Sequence, residues 1–285
     1  MTSPHQLSTE YAALQRRYYD DRIHSLTDAQ NLVGCYQEGL AVMPSILQFV
    51  VDEYRKRRYT RSLKQTRMLD FGCGVGRIME AARELGIGET DGVDISESML
   101  NYARRNPALA GARTFLGSGA DCGEAPRDSY NLITSFFCLQ HVCHHGNRMG
   151  ILRAMNECLA EDGMVALELQ YFPTITASEV PGNHAPWGED RVASVTNSEA
   201  DVWITPDRLG EMLADMSACF RDLSFQFVDL FQPEQYDRTK SAATENYVHP
   251  FSHVYVFGTK RRTFASSIYR ALDTADSQTP AGAAH

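Results

Sequence analysis

No apolar run in this 285-residue sequence approaches the roughly 20 residues that a membrane-spanning helix needs; the segment from Ile46 to Val51 is representative and stops far short. The first thirty residues also lack the basic, apolar, small-residue order of a secretory signal, so a soluble cytoplasmic protein is expected. Seven cysteines, an odd number without dense regular spacing, exclude a disulfide-stapled scaffold and leave reduced thiols as the default. Cations are outnumbered, 27 Lys and Arg against 36 Asp and Glu, and the net charge of −9 argues against nucleic acid as a partner. No fixed-period repeat is present, which excludes solenoids and propellers. What remains is a chain with 43% hydrophobic residues, enough for a large core.

Its organising feature is alternation of helix and strand. Leu7, Tyr11, Leu14 and Tyr18 fall at helical spacing, and Met43, Ile46, Leu47, Val50 and Tyr54 repeat the pattern around Pro44, read as a first-turn residue. Two helices are therefore expected before any strand. Met68 to Phe71 then reads as a strand closed by glycines, and Ile78, Met79, Ala82 and Leu85 as a helix ended by Gly86. The unit recurs with a strand over 91–95, Ser96 as N-cap, and Met99, Leu100 and Ala103 facing inward. Further strands are expected at 114–116, 130–136 and 164–170, with a helix carrying Ile151, Leu152, Met155, Cys158 and Leu159 between the last two. Such alternation requires right-handed crossovers and gives an α/β fold, a mostly parallel sheet with helices on both faces.

A later helix starts at Thr205 and Pro206 with Leu209, Met212, Leu213, Met216 and Phe220 inward, followed by alternating Leu223, Phe225 and Phe227 and by a strand over 251–257. The last two read as an antiparallel pair. Between Phe172 and Ile204 lie Pro173, Pro181, Pro186 and both tryptophans, Trp187 and Trp203, in what reads as a structureless functional lid. The domain reading is a helical cap over 1–60, a core over 61–265 with the 172–204 lid inserted, and a flexible tail over 266–285.

Asp70-Phe71-Gly72-Cys73-Gly74-Val75-Gly76 stands where the first strand becomes a helix, and glycines spaced by two let the backbone turn tightly against a ligand. The dinucleotide fingerprint would place glycine at 77, where this chain has Arg77, so nicotinamide chemistry is disfavoured. Asp94 ends the second strand, where a carboxylate can accept the hydroxyl protons of a ribose.

With these residues the sequence resembles the class I S-adenosylmethionine-dependent methyltransferases of small-molecule type. Residues 69–77 look like their first motif and Gly92-Val93-Asp94-Ile95-Ser96 like their second. Gly117 to Cys122 matches the segment after the third strand, and Tyr130 to Phe136 with Leu139 to Val142 the fourth strand and its loop. The resemblance covers about residues 66–171 and implies a Rossmann-like seven-stranded sheet whose last strand is antiparallel. It further implies S-adenosyl-L-methionine as cofactor. Gly72, Cys73, Gly74 and Gly76 would cradle its methionine end above Asp70, Asp94 would hold the ribose with Ile95 and Met99 beside it, Asp121 and Cys122 would bracket adenine, and Phe136 would line the approach to the sulfonium. Asn131 departs from the aspartate common at the start of the fourth strand, a change expected to touch strand packing rather than the ligand.

His141, after the fourth strand, is the candidate general base, since an imidazole titrates near 6.5. Tyr19 in the first helix and Tyr171 at the end of the fifth strand are candidates to orient an acceptor, while Tyr11 and Tyr18 share a stripe with leucines and read as packing. Cys138, His141, Cys143, His144 and His145 crowd together, yet no second ligand pair is evident, so no metal is expected. Arg55, Lys56, Arg57, Arg58, Arg61, Lys64 and Arg67 read as a solvated helix end, with an anionic-substrate patch as the alternative. The favoured activity is methyl transfer to oxygen or nitrogen of a small molecule. The alternatives are attack at another carbon of the same cofactor, releasing methylthioadenosine, and a cofactor-binding partner without catalysis.

Overall fold

The computed structural model describes residues 4–33, 37–57, 61–142, 144–171, 195–197, 202–204, 209–228 and 252–261. Three helices, α1 (Pro4–Asp20), α2 (Leu26–Val33) and α3 (Gln37–Arg57), precede the first strand. Then follow β1 (Arg67–Phe71), α4 (Arg77–Glu84), β2 (Glu89–Asp94), α5 (Glu97–Arg105), β3 (Thr114–Leu116) and β4 (Tyr130–Ser135). The chain continues through α6 (His145–Cys158), β5 (Leu159–Tyr171), the short β6 (Val195–Asn197) and β7 (Val202–Ile204), α7 (Leu209–Cys219), β8 (Phe220–Val228) and β9 (Ser252–Lys260). Seven strands form one sheet in the order β3-β2-β1-β4-β5-β9-β8, while β6 and β7 pair separately. Strands β1 to β5 are mutually parallel, and β9 runs antiparallel to both β5 and β8. This is the Rossmann-like arrangement expected from the sequence.

Neighbouring residues of one strand point to opposite faces, and the core divides accordingly. Ile133, Val165, Leu167, Val254 and Val256 pack with Ile151, Leu152 and Met155 of α6 and with Met212 and Met216 of α7. Their neighbours Leu132, Met164, Ala166, Tyr255 and Phe257 face the other way and meet Ile46, Leu47, Val50, Val51 and Tyr54 of α3. Each such fully buried aliphatic side chain is worth about 1.5–3 kcal/mol, so α3 holds one face of the sheet closed.

Several sequence expectations are corrected. Helix α2 was not anticipated, because its eight residues carry too short an apolar pattern. Pro44 lies inside α3 rather than in its first turn, the helix continuing without one intrahelical hydrogen bond. Strand β5 begins earlier than expected, at Leu159 beside Tyr130, and the bulge before Met164 pairs with Leu132 conceals it in the sequence pattern. In α7, Met212 and Met216 are buried but Leu213 is 38% exposed. The expected lid is not wholly irregular, since β6 and β7 form a hairpin within it; Thr205, Pro206, Trp187 and the 266–285 tail lie outside the described residues.

Asn131 sits at the edge of the sheet opposite the strand ends that carry the glycine turn. Its side-chain oxygen accepts from the Arg67 N–H at 3.0 Å and its amide donates to Asp162 at 3.4 Å, a strand-packing role. The basic segment is partnered by acids from elsewhere: Lys56 with Glu53 at 2.6 Å, Arg61 with Asp162 at 2.9 Å and Arg67 with Glu89 at 2.9 Å. The partly exposed pairs Arg61–Asp162 and Arg67–Glu89 contribute little to stability, consistent with a solvated helix end and connector.

Candidate active site at the carboxyl ends of the strands

The chain leaves β1 through a turn built on left-handed glycines, Gly72 (φ 76°), Gly74 (φ 53°) and Gly76 (φ 88°), the last of which opens α4. Gly72 is demanded twice over. Its φ favours glycine, and a Cβ there would stand 2.4 Å from the Cys138 Sγ. The Gly72 and Cys73 N–H groups both donate to the Val93 carbonyl, at 2.8 and 3.0 Å, which pins the turn to β2.

Asp94 completes that junction. Its carboxylate accepts from the Gly74 N–H at 2.8 Å and from the Ser96 N–H at 2.9 Å. Burial pushes its pKa up against the stabilising pull of these N–H donors. With the Ile95 N–H as a third donor, the carboxylate still keeps lone-pair capacity for a hydroxyl. Beneath the turn, the Asp70 carboxylate accepts from the Thr134 hydroxyl at 2.8 Å, and burial raises its pKa to about 7 despite that bond. A carboxyl with its folded pKa raised holds a proton that the unfolded chain has already lost. Stability from this group therefore falls as pH rises from about 4 to about 7. Asp70→Asn is expected to remove that slope: in denaturant titrations, wild type should lose stability relative to the variant across this interval, and a constant difference would refute it.

A cleft opens over these strand ends. Gly72, Asp94, Ile95, Met99 and Asp121 of the expected cofactor set line it, as do Tyr19 and His141 of the expected catalytic set. Asp121 accepts from the Ser118 and Gly123 N–H groups at 3.0 and 2.9 Å; partial burial opposes ionisation, but these donors outweigh it and its pKa is lowered. Asp70, Cys73, Gly74 and Gly76 form the turn and its support rather than the wall.

Two residues are corrected. Phe136 packs on the far face of the sheet against Tyr255, ring centroids 6.1 Å apart, and its successor Phe137 lines the cleft. Phe137 takes φ 53°, which turns the chain over by one residue, and no residue-level pattern announces such a reversal. The Cys122 side chain is 2% exposed, within the core that holds Cys158, and does not reach the cleft. Tyr171 ends β5 as expected, but its side chain lies outside the described residues.

Helix α1 is laid across the mouth of the cleft by polar contacts to three successive loops. The Tyr11 hydroxyl and the Gln15 amide both donate to the His141 carbonyl. Arg16 donates to the carbonyls of Ile95 at 3.0 Å and Gly117 at 2.9 Å. Asp20 accepts from the Ser96 hydroxyl at 2.6 Å and the Ser98 N–H at 3.2 Å. Tyr11 is 1% exposed, as a packing residue should be, and Gln15 joins the cleft wall, a role its sequence context did not signal.

The Cys/His cluster is divided by the fold. Cys138 lies against Gly72, His144 caps α6 by accepting from the Asn147 N–H at 3.3 Å, and His145 meets Asp215 at 3.0 Å. Cys143 lies outside the described residues, and among those described no group of three or more His, Cys, Asp or Glu could hold a metal ion. No described helix is long and apolar enough to cross a membrane.

Residues 68–163 match the family model of a methyltransferase domain. A ubiquinone biosynthesis O-methyltransferase from Neisseria meningitidis is 31% identical over 116 residues, 40% of this chain and 45% of its own length. The chain spans about half the length of the curated relatives it matches. Among solved structures, a SAM-dependent methyltransferase from Methanosarcina mazei is similar with a TM-score of 0.56 at 14% identity, over 72% of this chain and 97% of its own. A phosphoethanolamine N-methyltransferase from Haemonchus contortus reaches 0.55 at 14% identity, over 92% of this chain and 61% of its own. At such identity the likeness is one of fold.

Proposed function

We propose that this chain, whose core is a class I S-adenosylmethionine-dependent methyltransferase domain, transfers a methyl group from S-adenosyl-L-methionine to an oxygen or nitrogen of a small-molecule acceptor. The observation that carries the reading is the junction of the Gly72–Gly76 turn with Asp94 at the floor of the cleft. The turn is built on left-handed glycines that admit no side chain, so at Gly72 backbone rather than a side chain lines the cleft, and Asp94 stands beside it at the end of β2 with acceptor capacity for a diol. Ile95, Met99 and Asp121 would flank the adenosine, with Asp121 accepting from the adenine amino group. The small-molecule class rests on the cleft at the strand ends, on the net charge of −9 and on the relative that modifies an oxygen in ubiquinone biosynthesis.

When bound, the cofactor supplies an electrophilic methyl carbon on a good leaving group, so the protein's work is alignment and proton removal. His141 would take the proton from the acceptor as its lone pair attacks. Tyr19 of α1, which also lines the cleft, would orient that acceptor and exclude water.

Asp94→Ala tests the binding site. Calorimetry with S-adenosylhomocysteine should show binding weakened by about 1.5–3 kcal/mol, the scale of hydrogen bonds to a charged group. Unchanged affinity would reject this placement of the cofactor. Mass analysis of turnover with candidate acceptors should find S-adenosylhomocysteine and a product heavier by one methyl; methylthioadenosine instead would replace methyl transfer by attack at another carbon.

A further inference from the structure

Phe137 is the joint on which one wall of the cleft turns. Strand β4 ends at Ser135, Phe137 takes the left-handed conformation at φ 53°, and Cys138 then enters the single 3-10 turn Leu139–His141. From that one reversal follow the seating of Cys138 against Gly72 and the arrival of Phe137, Cys138 and His141 on the same wall. A bulky residue at positive φ is strained and persists only where its surroundings hold it.

The group that holds it comes from the neighbouring strand. Glu168 of β5 is wholly buried, and its carboxylate accepts from the Phe137 N–H at 2.8 Å. It lies beside Tyr255 of β9 in the strand register, on the apolar face that α3 covers. Hydrophobic packing alone gives no reason for a carboxylate there, since a buried acid is costly and an apolar residue of similar size is often as stable or more so. A hydrogen bond from a strained main-chain N–H does give one.

We propose that Glu168 is a positioning residue for methyl transfer: by gripping the Phe137 N–H it fixes the left-handed joint and so sets where Phe137, Cys138 and His141 meet the acceptor. Glu168 does not line the cleft; it reaches the cleft wall through this loop. The proposal rests on the methyltransferase reading for its effect on turnover, but its structural half is independent of any activity.

Two variants separate the roles of Glu168. Glu168→Gln keeps an acceptor oxygen, whereas Glu168→Met fills similar space without one. In Glu168→Met, kcat is expected to fall roughly 10- to 100-fold, the scale of one lost hydrogen bond to a charged acceptor, with the melting temperature lowered as the Phe137 N–H loses its acceptor. Affinity for S-adenosylhomocysteine, held three strands away at Asp94, should stay within about threefold, and Glu168→Gln should recover most of the turnover. Site-resolved alkylation supplies the readout that needs no activity: Cys138 should react with iodoacetamide roughly tenfold faster in Glu168→Met than in wild type, with Glu168→Gln close to wild type. Faster alkylation without measurable methyl transfer in any form would support the joint and remove the methyltransferase reading. Unchanged Cys138 reactivity in Glu168→Met would overturn the proposal. So would parallel losses of melting temperature, cofactor affinity and kcat in both variants, which mark a merely structural residue.

Discussion

Gly72→Ala is expected to cost the protein about 2–5 kcal/mol of stability and to abolish measurable binding of S-adenosylhomocysteine. Two penalties add. An L-residue in the left-handed region costs roughly 1–2 kcal/mol, and the φ of 76° leaves this chain no way around it without moving the turn. The new methyl would also stand 2.4 Å from the Cys138 Sγ and 2.5 Å from its Cβ, and overpacking of this kind costs about 1–3 kcal/mol more. The second penalty is the functional one. Cys138 can retreat only by shifting the loop that carries His141, and the turn can retreat only by breaking the N–H bonds to Val93 and Asp94. Gly86→Ala is the internal control, since Gly86 has φ 93° but nothing within 4 Å of its Cβ position. It should show the backbone penalty alone, about 1–2 kcal/mol in a denaturant melt, with cofactor affinity unchanged. Wild-type affinity in Gly72→Ala would mean that the cofactor does not lie against this turn.

The same two residues show what the sequence could convey. Gly72 and Asp94 were legible because the chemistry is written in residue type: only glycine fits a left-handed turn under close approach, and an acid at a strand end can hold main-chain N–H groups while still facing the cleft. The helices and strands of the core were legible for the same reason, through periodicity, as far as periodicity runs. It fails where geometry changes within one or two residues. Phe136 and Phe137 are chemically identical, and which of them faces the cleft depends on a single positive φ that leaves no mark in composition. Cys122 stands next to Asp121, yet consecutive side chains diverge, and the thiol turns into the core while the carboxylate stays at the cleft wall. Gln15 and Glu168 escaped notice because each acts on a distant main chain, a relation that only the folded chain creates.

His141→Ala is expected to lower kcat by about 10²–10⁴-fold with little change in cofactor affinity, the range for removing a positioned general base. The substitution is unusually clean here. Tyr11 and Gln15 hold His141 through its main-chain carbonyl, which alanine retains, so α1 stays docked and the cleft keeps its wall. What disappears is the imidazole alone. A base must be neutral to accept a proton, so the wild-type kcat should rise with pH along an acidic limb, and that limb should vanish in the variant as its slow residual rate comes to depend on solvent. The pH profile separates this role from mere shape: a histidine that only packs beside the acceptor would raise KM on truncation while leaving the profile of kcat intact. Undiminished kcat across the pH range would remove His141 from the chemistry and leave proton removal to solvent or to an acceptor already deprotonated. Comparison of acceptors sharpens the distinction. A protonated hydroxyl needs the base more than an amine that is already neutral at the working pH, so the His141→Ala penalty should be larger for the oxygen acceptor.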